Sequence, residues 1–366
     1  MPKIPLFYPY ISPRVYPAVK KVLKTKFIGQ GPRIQEFEKA FGKKIGAKYC
    51  VSVNSGTASL HLAYILAGIK PGDEVIGPVL TCSATYHPIL QMGGKLVFAD
   101  IKKDTLCIDS DDIEHRITKK TKAIIPVHFG GYPADMEKIM KIAKKYNLKI
   151  IEDSAQHIGK KIYPRGDYQC YSFQAIKHIT TCDGGMLVVN NKKDYEKAKR
   201  LRWFGIDRDL KIKKDWQPFK DWERREMTYD VDEIGYKYHI TDVDAAIGIE
   251  QLKDLDKVLK RREKLVKLYR KLLKNKKGVK LLKFHPREAY WLFQVLLKNR
   301  NKVAENLKKA GVETNIVHVR CDIYKVFGGK RLNLPNMKDI EDEYLCLPLH
   351  PKLTEKDVSY IAKNIK

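Results

Sequence analysis

No stretch of the chain approaches the roughly 18 consecutive apolar residues that a membrane-spanning helix needs. The opening Met1-Pro2-Lys3-Ile4-Pro5 lacks the apolar core of a signal peptide, so a cytoplasmic protein is expected. The seven cysteines (Cys50, Cys82, Cys107, Cys170, Cys182, Cys321 and Cys346) are odd in number, scattered, and never form a C-x-x-C pair. That pattern speaks against a disulfide framework and a zinc cage, and no metal site is expected. P-loop, G-x-G-x-x-G and H-E-x-x-H runs are missing, which removes the usual carriers of nucleotide hydrolysis, dinucleotide binding and zinc proteolysis. Acidic residues are scarce: 43 stand against 71 lysines and arginines, a formal net charge of +28. Such a surplus raises nucleic acid as a partner. The lysines, however, spread over polar helix faces, as at Lys138, Lys141, Lys144 and Lys145, with no aromatic-interleaved basic stripe. A lysine-rich usage explains the charge more simply, and its functional reach is the steering of small anionic substrates.

What is present is a folded chain of 366 residues, 43% hydrophobic and 31% charged, a length that suits two domains. From Tyr49 to about Val189, short β-rich runs alternate with helical patterns, the arrangement of a mostly parallel sheet covered by helices. The expected strands are Tyr49–Asn54, Glu74–Pro78, Lys95–Ala99, Lys122–Pro126, Lys149–Glu152, Cys170–Phe173 and Met186–Val189, with helices over Ala58–Ala67 and Met136–Tyr146. Between Val243 and about Leu273, apolar residues recur at helical spacing and predict one long or broken helix. Beyond Gly278 a strand-like run Tyr290–Leu297, a helix around Val303–Ala310 and a final helix Glu355–Ile365 predict a smaller α+β domain. The expected division is therefore residues 1–245 as a large α/β domain and 246–366 as the linking helix and small domain.

Three runs carry chemistry. In Asn54-Ser55-Gly56-Thr57-Ala58-Ser59-Leu60 a strand gives way to a helix through small hydroxyl residues and a glycine. Such a turn exposes backbone N–H groups at the positive end of a helix and suits a phosphate, although taken alone an ordinary N-cap by Ser55 or Thr57 is the plainer explanation. The second is Ile150-Ile151-Glu152-Asp153-Ser154-Ala155-Gln156, where an apolar strand ends in carboxylates. Ligands of open α/β sheets sit beyond the carboxyl ends of strands, and an aspartate there can hold a protonated ring nitrogen. A helix cap is the plainer alternative. The third surrounds Lys177, in Tyr171-Ser172-Phe173-Gln174-Ala175-Ile176-Lys177 and on to Asp183-Gly184-Gly185. Most lysines are solvated surface charges, but this one follows a strand with apolar or small neighbours, where an amine can become nucleophilic. Phosphate turn, aspartate and lysine at the ends of strands of one sheet form the set that pyridoxal phosphate requires.

The chain resembles the DegT/StrS-type family of sugar aminotransferases from about Phe27 to the C-terminus. The resemblance rests on Phe27-Ile28-Gly29-Gln30-Gly31-Pro32, Ser55-Gly56-Thr57, Glu152-Asp153-Ser154-Ala155-Gln156, Ser172-Phe173 with Lys177, Asp183-Gly184-Gly185, Gly235-Tyr236-Lys237-Tyr238 and Gln251-Leu252. It implies a fold type I enzyme dependent on pyridoxal 5'-phosphate, with a large domain built on a mostly parallel seven-stranded sheet, a small C-terminal domain, and a homodimer with shared active sites. It further implies that Gly56, Thr57 and Ser172 bind the cofactor phosphate, Asp153 the pyridine nitrogen and Gln156 the ring hydroxyl. Lys177 is then the Schiff-base lysine and proton shuttle. Two positions depart from the family's commonest pattern. Cys82, in Thr81-Cys82-Ser83-Ala84-Thr85, stands where many members have an aromatic residue stacking on the cofactor, and its sulfur or a neighbour such as Tyr86 is expected to substitute. Lys237 stands where many have an asparagine that reaches the partner's cofactor phosphate, a role a lysine can fill as a point charge.

The reaction so implied is amino transfer from glutamate to a nucleotide-linked 4-keto-6-deoxy sugar. The preference for carbon four rests on a resemblance in the runs Ile179–Gly185 and Arg202–Arg208. Gly29, His318 and Arg320 are the candidate substrate contacts. The alternatives are transfer at carbon three and a sugar dehydratase of the same fold; the dehydratases carry histidine where this chain has Lys177. A non-catalytic nucleic-acid-binding protein has only the charge in its favour.

Overall fold

The computed structural model describes residues 3–25, 27–159, 165–209, 218–231 and 233–365. Its centre is a seven-stranded sheet of β1 (Tyr49–Val53), β2 (Glu74–Pro78), β3 (Lys95–Ala99), β4 (Thr121–Ile124), β5 (Lys149–Asp153), β6 (Tyr168–Ser172) and β7 (Gly185–Val189), in the order β1-β7-β6-β5-β4-β2-β3. Only β7 runs against the rest, antiparallel to both β1 and β6. The carboxyl ends of β1, β2, β5 and β6 therefore lie along one edge, and the amino end of β7 joins them there. The interior strands are almost wholly buried, which is why they read in the sequence as apolar runs without polar alternation.

The helices begin and end where their caps require. The Ser55 hydroxyl accepts the Ala58 N–H at 3.0 Å and starts the helix Gly56–Leu66. Asp135 caps Met136–Tyr146, and Asn147 closes it in the left-handed region. The long helix Asp242–Leu273 opens with a capping box between Thr241 and Asp244. Its Asp242 also accepts the N–H groups of Gly31, Arg33 and Ile34, so one carboxylate caps the neighbouring helix Pro32–Ile45 as well. That helix packs Ile34, Phe37, Phe41 and Ile45 against the sheet and the long helix. Neither it nor the preceding helix Val15–Thr25 emerged from the periodicity analysis, although an acidic helix after Pro32 belongs to the family pattern.

The C-terminal part holds a three-stranded antiparallel sheet, Val279–Leu281, Phe293–Leu297 and Tyr344–Leu347, with the helices Arg300–Lys309 and Glu355–Asn364. Ile4 exchanges backbone hydrogen bonds with Gly311 and Glu313 and is buried with Leu265, Val312 and Leu347, because its extended segment completes the small domain's core. Among the described residues no helix is long and apolar enough to cross a membrane, and no cluster of histidine, cysteine and acidic residues could hold a metal ion.

Candidate active site

The site is built along the edge where β1, β2, β5 and β6 end. At β1 the Ser55 hydroxyl takes the Ala58 N–H. The N–H groups of Gly56 and Thr57, in the first helical turn, have no intrahelical acceptor and are available to an anion. Gly56 is required by contact: a Cβ there would stand 2.9 Å from Ser172 Cβ and 3.3 Å from its Oγ. Helix start and the end of β6 thus meet at a glycine.

Asp153 ends β5, held by its N–H to Pro126 O at 2.9 Å. The side chain is 4% exposed, accepting the Thr85 hydroxyl at 2.8 Å and the Ala155 N–H at 3.0 Å. Burial pushes its pKa up, opposed by these hydrogen bonds and by the charge of Lys177. A buried carboxylate in this position is best served by a cation that approaches it directly, such as a protonated ring nitrogen. Behind it lies a relay: His128 Nδ1 accepts the Ala134 N–H, so Nε2 carries the hydrogen and donates to Glu152 at 3.0 Å. Gln156 gives its carbonyl oxygen to the Gly130 N–H at 2.7 Å, and the end it offers a ligand is the amide NH2 donor.

Lys177 lies in a loop from Phe173 to Gly184 whose ends are joined by Phe173 N–H to Gly184 O at 2.8 Å. The loop is also fastened from the small domain. Trp291 Nε1–H donates to Ile176 O at 3.0 Å, and His178 Nε2 donates to Ala289 O at 2.8 Å. Burial lowers the Lys177 pKa to about 8, while Asp153 and Cys82 act in the opposite sense. Part of the residue still faces solvent. At pH 7 about one tenth of such amines are uncharged, against roughly one in three thousand ordinary lysines.

Of the remaining expected residues, Cys82 is half-buried and close enough to Lys177 to act on it electrostatically. Tyr86 cannot replace a stacking ring: it is fully buried, its hydroxyl donates to Pro78 O, and its ring packs edge-on against Phe98 and Phe327. His318 stacks on Trp291 at 6.1 Å, and its Nε2 is buried without a partner. Burial and the nearby Lys177 lower its pKa to about 3, leaving a neutral ring. Arg320 is placed otherwise than a substrate-binding guanidinium should be. It is 3% exposed and forms a two-pronged pair with Asp322 at 2.7 and 2.6 Å, with further bonds to Glu341 and Leu332 O, so its donors serve the fold. Gly29 is exposed, with its carbonyl on the Asp242 N–H at 2.6 Å. Lys237 is exposed; its carbonyl accepts Asn54 Nδ2 beside the phosphate turn, and its Nζ lies 3.3 Å from His239 Nε2. None of these contacts of Arg320, Gly29 or Lys237 involves Lys177, Asp153 or Gly56. The sequence reading missed Thr85, the His128–Glu152 pair and Trp291, for which only the presence of a tryptophan at the start of a strand-like run gave any signal.

The profile of the DegT/DnrJ/EryC1/StrS aminotransferase family matches residues 9–366. The chain belongs to this family. It is 38% identical to protein MJ1066 of Methanocaldococcus jannaschii over 99% of this chain and 97% of that protein. It is 32% identical to GDP-perosamine synthase of Escherichia coli O157:H7 over 100% of this chain and 98% of the other. Among solved structures, the sugar aminotransferase CalS13 of Micromonospora echinospora is similar at a TM-score of 0.88 and 31% identity, covering 99% of each chain. The protein Spr1654 of Streptococcus pneumoniae, solved in its PLP form, gives 0.88 at 27% identity, over 99% of this chain and 97% of that one. This DegT-family chain is thus a pyridoxal-phosphate-dependent sugar aminotransferase of fold type I, as its seven-stranded, mostly parallel sheet and small antiparallel sheet accord.

Proposed function

We propose that this aminotransferase moves an amino group from glutamate to a 4-keto-6-deoxy sugar linked to a nucleoside diphosphate, giving the 4-amino-4,6-dideoxy sugar. The observation that supports it most is the convergence of a buried carboxylate, Asp153, with a lysine of lowered pKa, Lys177, at the edge where Gly56 opens a helix. The residues fit the cofactor. Gly56, Thr57 and Ser172 would hold its phosphate, Asp153 its ring nitrogen and the Gln156 amide its ring hydroxyl, with Cys82 against the ring. When bound, the cofactor supplies a carbonyl that exchanges amines and a ring that accepts electron density. Lys177 Nζ would take a proton from the glutamate α-carbon and, in the other half of the cycle, deliver one to the sugar carbon that receives the amine, a role for which a pKa of about 8 is well matched at neutral pH. His318 Nε2, neutral and unpartnered, can accept a hydrogen bond from a sugar hydroxyl, and Gly29 is proposed to meet the substrate.

The carbon-four preference rests on the runs Ile179–Gly185 and Arg202–Arg208, and the GDP-linked product in the name of one relative is compatible with a nucleotide-linked substrate. A net charge of +28 favours entry of a diphosphate. Borohydride treatment of the cofactor-loaded protein should fix the cofactor on Lys177, read by peptide mapping. Incubation with glutamate and separate 3-keto and 4-keto nucleotide sugars should then yield an amine at carbon four by NMR. Amination at carbon three alone would overturn the positional reading, and release of water without amine transfer would favour the dehydratase.

A further inference from the structure

The wall facing Lys177 comes from the small domain. Trp291 is 1% exposed, and the Lys177 Nζ stands over its indole ring, 3.7 Å from the centroid. The ring cannot drift. Its Nε1 is bonded to Ile176 O, Phe7 stacks on it at 5.8 Å and 24°, and His318 at 6.1 Å and 29°. Its backbone N–H is held by Gly130 O at 2.9 Å. Lysine and ring are therefore fixed to each other twice, through the hydrogen bond to the residue before the lysine and through space. Indole is the strongest aromatic partner for a cation, and the attraction grows when water is excluded.

We propose that Trp291 is a positioning residue for Lys177, its indole face being the seat that holds the lysine's ammonium in place whenever the lysine is not bonded to the cofactor. The inference rests on the reading of Lys177 as the cofactor's lysine. In each half of a transamination that lysine must be set free, carry a proton, and return to the same place. A ring that attracts only the protonated form keeps the released side chain near the site and loaded with its proton, against the burial that favours the neutral amine. The other titratable groups acting on this ammonium are Asp153 and Cys82 at the ends of β5 and β2, His178 in its own loop, and His318 across the ring. Of these, Asp153 is occupied once a ring nitrogen binds it, which leaves the indole and Cys82 as the attractions that remain.

The test uses full-length protein saturated with pyridoxamine phosphate, in which Lys177 is a free amine. Trace acetic anhydride labelling between about pH 6 and pH 11, resolved by peptide mass spectrometry, gives a titration midpoint for each lysine, with surface lysines as internal controls. Trp291→Phe and Trp291→Leu are compared with the unaltered chain. So is the unaltered chain with all four tryptophans replaced by 5-fluorotryptophan, which weakens the ring's attraction while keeping its shape. The Lys177 midpoint should fall by up to about one pH unit in Trp291→Leu, less in Trp291→Phe, and by a few tenths in the fluorinated protein, with other lysines unmoved. A midpoint unchanged in the fluorinated protein and in Trp291→Phe would overturn the proposal even if Trp291→Leu fails to fold. Borohydride trapping at some lysine other than Lys177 would instead remove the cofactor reading, and the proposal with it.

Discussion

Thr85 reaches Asp153 from 68 positions away in the chain, and its hydroxyl is the side-chain donor on that carboxylate. Thr85→Val keeps the shape and removes the donor, so the carboxylate should be harder to ionise and its hold on a ring nitrogen weaker. Cofactor affinity should drop about tenfold, the scale of a hydrogen bond to a charged group, and Thr85→Ser should restore most of it; spectroscopic titration with pyridoxal phosphate measures both. The lowered pKa of Lys177 carries its own expectation. Its reactive form is the amine, which is lost as pH falls through about 8, so cofactor capture by the free protein should quicken nearly tenfold per pH unit up to that point and level off above it. Stopped-flow absorbance gives the profile; a rate still climbing at pH 10 would mean an ordinary lysine. Neither Thr85 nor Trp291 was legible in the sequence, because the contacts that give them a role span 68 and 115 residues. Lys177 and Asp153 were legible, since what marks them is local: a strand ending, small neighbours, a glycine turn.

Among the elements, the helix Gly56–Leu66 bears the heaviest demand, because its first turn lies flush against β6 and is proposed to receive the cofactor phosphate. Gly56→Ala inserts a methyl 2.9 Å from Ser172 Cβ, and Gly185 on the other side is already packed so that a Cβ there would reach the Ser55 carbonyl. With no room to shift, the substitution should lower stability by about 1–3 kcal/mol and weaken cofactor binding more than it weakens folding, as thermal melts with and without cofactor would show. The strands of this sheet were readable as apolar runs, and the long helix as a repeat of apolar positions with charges between. The direction of β7 was not, because a short run of Gly185–Val189 reads the same either way and its sense is set by the path of the Lys177 loop. The helix Pro32–Ile45 does carry an apolar stripe, but its lysines and its mid-helix Gly42 interrupt the pattern.

On the scale of the whole molecule, Lys237 and its surroundings raise the question of a second copy. Trp222, Val231 and Ile234, near Lys237 in the chain, are exposed at 64%, 53% and 85%, so the surface of this segment offers apolar side chains to a partner. If copies pair through this face and share sites, mixing Lys177→Ala with Lys237→Ala protein should recover part of the activity lost by each, since one composite site would be intact. Demonstrated subunit exchange without recovery would confine Lys237 to its own chain. Within one chain, the two domains are sewn together at the reacting lysine. Gly130 and Gly131 bond to the backbone of Ala289, Trp291 and Leu292, and His157 and His178 to the carbonyls of Arg287 and Ala289. A seam stitched this way is expected to resist hinge opening, and turnover is then expected to follow the chemistry and the diffusion of substrates, with no clamshell motion to wait for.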